Sequence, residues 1–361
     1  MLTIAPLLLA IHSSFKQASA APEPTWVKAV DALFVTWDRP DSPGCALGVI
    51  QDGELVHARG FGSACLEHGV PITPGTVFDI GSTSKQFTAA AIGLLVADNR
   101  LGVEDEIHDW IPELADFGAK VTLDHLLHHT SGLPDYLGLM DASPPDWTTP
   151  EDALEALLEV KALRFEPGKR FEYSNTNFFL LSLVAERASG APFREFVRTR
   201  LFEPLGMRDT LLFHDHTLVV PHRATAYDPR KGGGFAVDMS DFEQLGDGAV
   251  QTTVEDLVKW DSNFYTKQVG GEALHAFLHK TGTLTNKKSI DYARGLFVDS
   301  FRGLPRVSHG GAWAGYRAQL MRFPEQKTSI VCLSNLSSMD PNGLCESVAA
   351  LVLGEKMSAE R

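Results

Sequence analysis

Apolar positions recur at two periods along the chain, and the switches between them mark out the elements. Between residues 25 and 37, Trp26, Val30, Leu33, Phe34 and Trp37 fall on one helix face. CALGVIQDGELVHARGFG, residues 45–62, reads as a hairpin: two strand-like runs flank Asp52-Gly53, a dipeptide that tolerates positive φ and closes short turns. DIGSTSKQFTAAAIGLLV, residues 79–96, passes from glycine and small polar residues into an alanine-rich apolar run. That predicts a helix start followed by a helix apolar enough to be buried.

From 103 to about 260 the helical period dominates. TLDHLLHHTSGLP is a short helix ended by Gly132 and Pro134, and TPEDALEALLEVKAL begins with Thr149 as cap and Pro150 in the first turn. TNFFLLSLVAERASG and APFREFVRTRLFEPLG are helices closed by glycine, and TTVEDLVKWDSNFY is capped by Thr252 or Thr253. KGGGF at 231–235 is a flexible loop. Strand-like runs return in ARGLFVDSF, RVSHGGAWAGYRAQLMRF and TSIVCLSN, and a last helix, GLCESVAALVLGE, carries Leu344, Val348, Leu351 and Val352 on one face. The simplest arrangement is an α/β chain of the α+β type. A central antiparallel sheet is built from both chain ends (21–102 plus 270–361) and flanked by helices. An all-α domain (103–269) is inserted, and a site lies between the two.

The remaining composition narrows the function. Among 361 residues, 44% are hydrophobic and 22% charged, which supplies a core. The net charge of −14 and the lack of a basic stripe exclude a nucleic-acid partner. LTIAPLLLAI at 2–11, followed by Ala18-Ser19-Ala20, predicts a signal peptide over 1–20 and a secreted or periplasmic protein, although Lys16 follows the apolar run instead of preceding it. No later run predicts a membrane span in the mature chain. Cys45, Cys65, Cys332 and Cys345 lack metal-ligand spacing, so free thiols are expected, with one or two bridges open to an exported protein.

The chemistry begins with Lys85. It stands in the first turn of an apolar helix, where a cation is costly to bury and lies at the wrong end of the helix dipole. Ser82, three residues earlier, falls on the same face. A serine hydroxyl needs a base, and a lysine in a dry, electropositive setting can act as one in its neutral form. The helix start also offers backbone N–H groups to an oxyanion. S-x-x-K alone is a weak signal, since Ser13 to Lys16 repeats it, and a cap with a solvated lysine is the plain alternative. Two further patterns strengthen it. Tyr173-Ser174-Asn175, the single Y-x-N of the chain, precedes an apolar helix, and His309-Gly310-Gly311 lies in a late strand whose glycines admit close approach.

In this order the three patterns resemble the penicillin-recognising serine hydrolases, in the version of the class C β-lactamases, D,D-carboxypeptidases and family VIII-type esterases. HHTSGLPDY (128–136), FEPGKRFEYSN (165–175) and GDGAVQTTVEDLVKW (246–260) read like stretches of that family, so the resemblance runs over about 25–353. It implies a β-lactamase/transpeptidase-like fold and a serine hydrolase acting through an acyl-enzyme on ester or amide bonds. By that resemblance Ser82 is the nucleophile, Lys85 its proton relay, and Tyr173 the group exchanging a proton with the leaving group. Asn175 orients Lys85 and the substrate, and the N–H groups of Ser82 and Ala312 form the oxyanion hole. His309 stands where the family places a lysine near a substrate carboxylate, and Tyr136 lies on the rim. H-G-G in place of K-T-G weakens recognition of a carboxylate and favours uncharged acyl substrates, either esters or D-amino-acid peptides and amides. A class C-like β-lactamase and a non-catalytic β-lactam or peptidoglycan sensor are the alternatives. No G-x-S-x-G or P-loop order is present. His125 and His129 with Asp124 lack an obvious third ligand, so neither a metal nor another cofactor is implied. The expected partner is a small-molecule or peptide acyl substrate, and the patterns leave the oligomeric state open.

Overall fold

The computed structural model describes residues 24–140 and 147–358; the predicted signal segment lies outside them. Its centre is a six-stranded sheet built from both chain ends. The strands are β1 (Cys45–Gln51), β2 (Glu54–Phe61), β3 (Phe297–Phe301), β4 (Leu304–Trp313), β5 (Tyr316–Phe323) and β6 (Thr328–Ser334), in the order β3-β4-β5-β6-β1-β2. Every neighbouring pair is antiparallel. The β1–β2 turn has positive φ at both Asp52 (51°) and Gly53 (83°), the backbone that Asp-Gly supplies at low cost.

Alternation along β1 divides the core in two. Cys45, Leu47 and Val49 face a cluster with Val30 and Phe34 near the N-terminus and Val348 and Ala349 of the last helix, Pro341–Leu353. Ala46 and Ile50 face the larger core shared with the helical middle. Both faces of the sheet are therefore covered, which is why β1 reads as a continuous apolar run rather than an alternating one.

The Lys85–Ala97 helix runs through the larger core with every side chain from Lys85 to Leu95 buried. Phe87, Ile92 and Leu95 each contribute about 1.5–3 kcal/mol on full burial, so this helix is held on all sides. Asn175–Ser189 packs beside it and ends at Gly190 in the left-handed conformation (φ 74°). Thr149 caps Pro150–Leu158, and Thr253 caps Val254–Thr266.

Several boundaries differ from the periodicity. The first helix spans only Val27–Ala32, with turns carrying Leu33, Phe34 and Trp37 onto the core. Gly81–Ser84 forms a 3₁₀ turn ahead of the helix. The 193–205 segment breaks into Phe193–Val197, a π-helical turn over Arg198–Phe202 and Glu203–Leu205. KGGGF closes a small hairpin of Tyr227–Pro229 and Phe235–Val237. Phe78–Asp79, Val250–Thr252 and Leu211–Leu212 form a three-stranded sheet too short for sequence periodicity to reveal. All four cysteines are free, and burial pushes the Cys45 and Cys345 thiols up. Among the described residues no helix is long and apolar enough to cross a membrane.

Candidate active site

Ser82 sits on the 3₁₀ turn, and Lys85 opens the helix that follows. Lys85 is fully buried, and its Nζ meets three oxygens: Ser82 Oγ at 3.0 Å, Asn175 Oδ1 at 2.8 Å and the Asp247 carbonyl at 2.6 Å. Asn175 starts the neighbouring helix, and both its backbone N–H and its Nδ2 donate to Asp135 Oδ2 at 3.0 Å. That clamp leaves the amide oxygen turned to Lys85.

Tyr173 stands over the lysine, with Nζ 5.0 Å from its ring centroid, and its hydroxyl is buried with no hydrogen-bond partner among the described residues. His129 stacks on it at 4.3 Å between centroids. His129 Nδ1 accepts from Asn177 Nδ2 at 3.0 Å and from the Ser174 N–H at 3.3 Å, which places the ring proton on Nε2. Burial, then Lys85 and His309, pull its pKa well below the ordinary value, so His129 is neutral.

The third pattern packs against the first. A Cβ on Gly311 would lie 1.8 Å from the Ile80 carbonyl oxygen and 3.1 Å from the Ser82 nitrogen. Glycine is what lets β4 lie directly on the Ser82 turn. Ser82 and Ala312 both line two cavities and stand at the neck between them. One cavity, about 130 Å³, is walled by Asp79, Tyr136, Asn175, Gln244, Asp247 and Trp313. The other, about 500 Å³ and wide open, is walled by Tyr173, His309, Arg317 and Asp340 among others.

His309 departs from its expected role. Nδ1 lies 2.6 Å from the Gly310 carbonyl, an acceptor only, so Nδ1 carries the proton. Nε2 then accepts from the Tyr292 hydroxyl at 3.2 Å. Burial, followed by the charge of Lys85, lowers its pKa to about 3. His309 is therefore a neutral, internally bonded wall and offers no cation to a carboxylate. Tyr136 also differs from expectation: at 2% exposure it is not on the rim but inside, donating to Asp247 Oδ2 at 3.0 Å.

The family described as Beta-lactamase matches residues 30–352. The chain belongs to the Beta-lactamase family. Within it, the chain is 29% identical to Penicillin-binding protein 4* of Bacillus subtilis (strain 168), over 85% of this chain and 71% of that one. It is 27% identical to a D-aminopeptidase of Gluconobacter oxydans (strain 621H), over 88% of this chain. The chain spans 60% of that relative's length. The solved octameric penicillin-binding protein homologue from Pyrococcus abyssi superposes with a TM-score of 0.82 at 28% identity, covering 91% of this chain and 77% of that one. Members of the Beta-lactamase family with these relatives are serine hydrolases, and an esterase or amidase type fits this chain.

The candidate site contains groups that the three patterns did not point to. Asp135 and His129 belong to HHTSGLPDY, and Asp247 lies between the glycines of GDG, so their stretches were visible but their roles were not. Tyr292 and Gln244 carried no local signal. Asp124, His125 and His129 do not converge on a metal: Asp124 pairs with Arg294 at 2.6 Å, and His125 caps its own helix.

Proposed function

We propose that the chain is a serine acyl hydrolase in which Ser82 Oγ attacks an ester or amide carbonyl and is acylated. The observation that carries this reading is the hydrogen bonding of Lys85. The Asn175 and Asp247 oxygens take up two N–H groups of Lys85, which holds Nζ 3.0 Å from Ser82 Oγ, within reach of its proton. Lys85 accepts the serine proton as the Oγ–C bond forms. Tyr173, with its hydroxyl uncommitted, passes a proton to the leaving group and takes one from the water that later cleaves the acyl-enzyme. The N–H groups of Ser82 and Ala312 hold the oxyanion at the neck between the cavities. The acyl part enters the narrow cavity and the leaving group departs through the open one, between the sheet unit (21–102 plus 270–361) and the helical unit (103–269). The neutral His309 supports leaving groups without a carboxylate, so simple esters and amides are favoured over penicillins. The apolar run at 2–11 with Ala18-Ser19-Ala20 supports export.

Intact-protein mass spectrometry with p-nitrophenyl esters, D-alanyl-D-alanine peptides and a penicillin tests the reading. A transient acyl adduct on Ser82 with esters is expected. No adduct and no turnover with any of them would overturn it.

A further inference from the structure

The open cavity beside Ser82 reaches past β4 to a polar group that acylation does not use. β3 pairs only with Leu304–Ser308, so beyond Ser308 the outer edge of β4 has no neighbouring strand among the described residues. The cavity lining passes around that edge. It runs from Ser82 and Tyr173 through Gly310 and Gln319 to Asp340 and Asn342 at the head of the last helix.

Gln319 is the unused group. It stands directly across from Gly310 in β5, so its side chain and the open side of Gly310 share the sheet face opposite to that of His309 and Gly311. It is 3% exposed, and among the described residues nothing hydrogen-bonds to its carboxamide. A buried amide with neither donor nor acceptor paired is costly, and filling it from a ligand removes the cost. Gly310 is what leaves the amide reachable. A Cβ at that position would lie 2.7 Å from Gln319 Oε1, so any other residue there would cover it.

The surrounding charges turn away an anion. His309 is neutral. Asp340 puts a carboxylate on the same wall, with Oδ1 accepting the Gly343 N–H at 3.1 Å. Arg317 is the one cation of the lining, and its charge is already shared: Nη1 donates to the carbonyls of Ala314 at 2.7 Å and Tyr316 at 2.6 Å, and Asp238 and Asp228 act on it. A neutral partner with both a donor and an acceptor suits Gln319. Its Nε2–H gives to a carbonyl oxygen while its Oε1 takes an N–H, and a primary carboxamide offers the two side by side. A carboxylate has no N–H for Oε1 and brings a second negative charge beside Asp340.

The distance from the nucleophile is short. A Cβ on Gly311 would lie 3.1 Å from the Ser82 nitrogen, and Gly310 is the next residue along the strand.

We propose that Gln319 recognises a primary carboxamide on the leaving group, one or two carbons from the leaving oxygen or nitrogen. This carboxamide is not the bond that is cleaved; it belongs to the fragment released through the open cavity. Preferred substrates are then acyl esters of hydroxy-carboxamides and acyl derivatives of amino-acid amides. This rests on Ser82 as the nucleophile and adds the residue that sorts leaving groups.

The test uses O-acetyl esters of lactamide and of 3-hydroxypropionamide, each beside the matching carboxylate and N,N-dimethylamide. Each kcat/KM is divided by the rate of hydroxide hydrolysis of the same ester, which removes differences in intrinsic reactivity. In the unmodified chain the primary carboxamide of at least one length should exceed both its analogues by about 5- to 30-fold, the scale of two neutral hydrogen bonds. That advantage should shrink to within about threefold in Gln319→Leu, which removes both bonds, and in Gly310→Ala, which covers the amide. The comparison in the unmodified chain stands even where a variant misfolds. Equal values for the three leaving groups at both lengths overturn the proposal, while their turnover leaves the Ser82 reading standing. An advantage undiminished in both variants also overturns it. No turnover of any of these esters and no adduct on Ser82 in the unmodified chain overturns both.

Discussion

The Tyr292 hydroxyl donates to His309 Nε2 across 3.2 Å, and this bond with the Gly310 carbonyl on Nδ1 holds the imidazole in a single neutral form. The position that would face a substrate carboxylate thus presents a closed hydrogen-bond chain in place of a charge. Nitrogen NMR of the histidine rings should show His309 as the Nδ1–H tautomer, unchanged from pH 8 to pH 5. Its folded pKa of about 3 lies below the ordinary 6.5. Unfolded chains therefore take up this proton first, and the stability due to His309 is complete above about pH 6.5 and lost as pH falls towards 3.

Replacing Ser82 by alanine removes the nucleophile and, with it, the hydrogen bond to Lys85 Nζ. Ester turnover should drop by about 10³-fold or more, with no acyl adduct and an unchanged unfolding temperature. Wild-type turnover in this variant would refute the assignment.

Asp247→Asn should stabilise the fold at neutral pH. Burial raises the Asp247 pKa to about 6, with Lys85 and the Tyr136 hydroxyl opposing the rise. The folded state therefore holds this proton between about pH 4 and 6, where an unfolded aspartate has lost it, and stability falls as pH rises through that window. The amide removes the penalty. A gain of about 1–3 kcal/mol at pH 7, vanishing below about pH 4, should appear in denaturant unfolding.

Gly311→Ala and Gly310→Ala should differ sharply. At Gly311 the added carbon would meet the Ile80 carbonyl oxygen at 1.8 Å, backbone that cannot retreat without moving Ser82. At Gly310 it would meet Gln319 Oε1 at 2.7 Å, the far end of a side chain that can turn away. Gly311→Ala should lower stability by about 1–3 kcal/mol and abolish most Ser82 acylation, whereas Gly310→Ala should keep most of both. Thermal unfolding with acylation rates measures the contrast.

The hairpin at Asp52-Gly53, the caps at Thr149 and Thr253 and the buried helix after Ser82 were legible because each depends on residues a few positions apart. So was the pairing of Ser82 with Lys85, one helical turn apart. The sheet order was legible only as an outline: strand-like runs at both ends implied a shared sheet, but not that β6 lies beside β1 or that short strands at 78–79, 211–212 and 250–252 join. Tertiary structure alone decided the surroundings of the site. The environment of Lys85 comes from Asn175, 90 residues on, and the Asp247 carbonyl, 162 residues on. The neutrality of His309 depends on Tyr292, and the acceptor-lined cavity on Asp79, Gln244 and Asp247 meeting around one space. Local spacing determines which side chains share a helix face or a turn. Burial, the charge of a group inside a protein and the count of its donors and acceptors belong to the packed whole, because each is set by neighbours that the chain brings together only on folding.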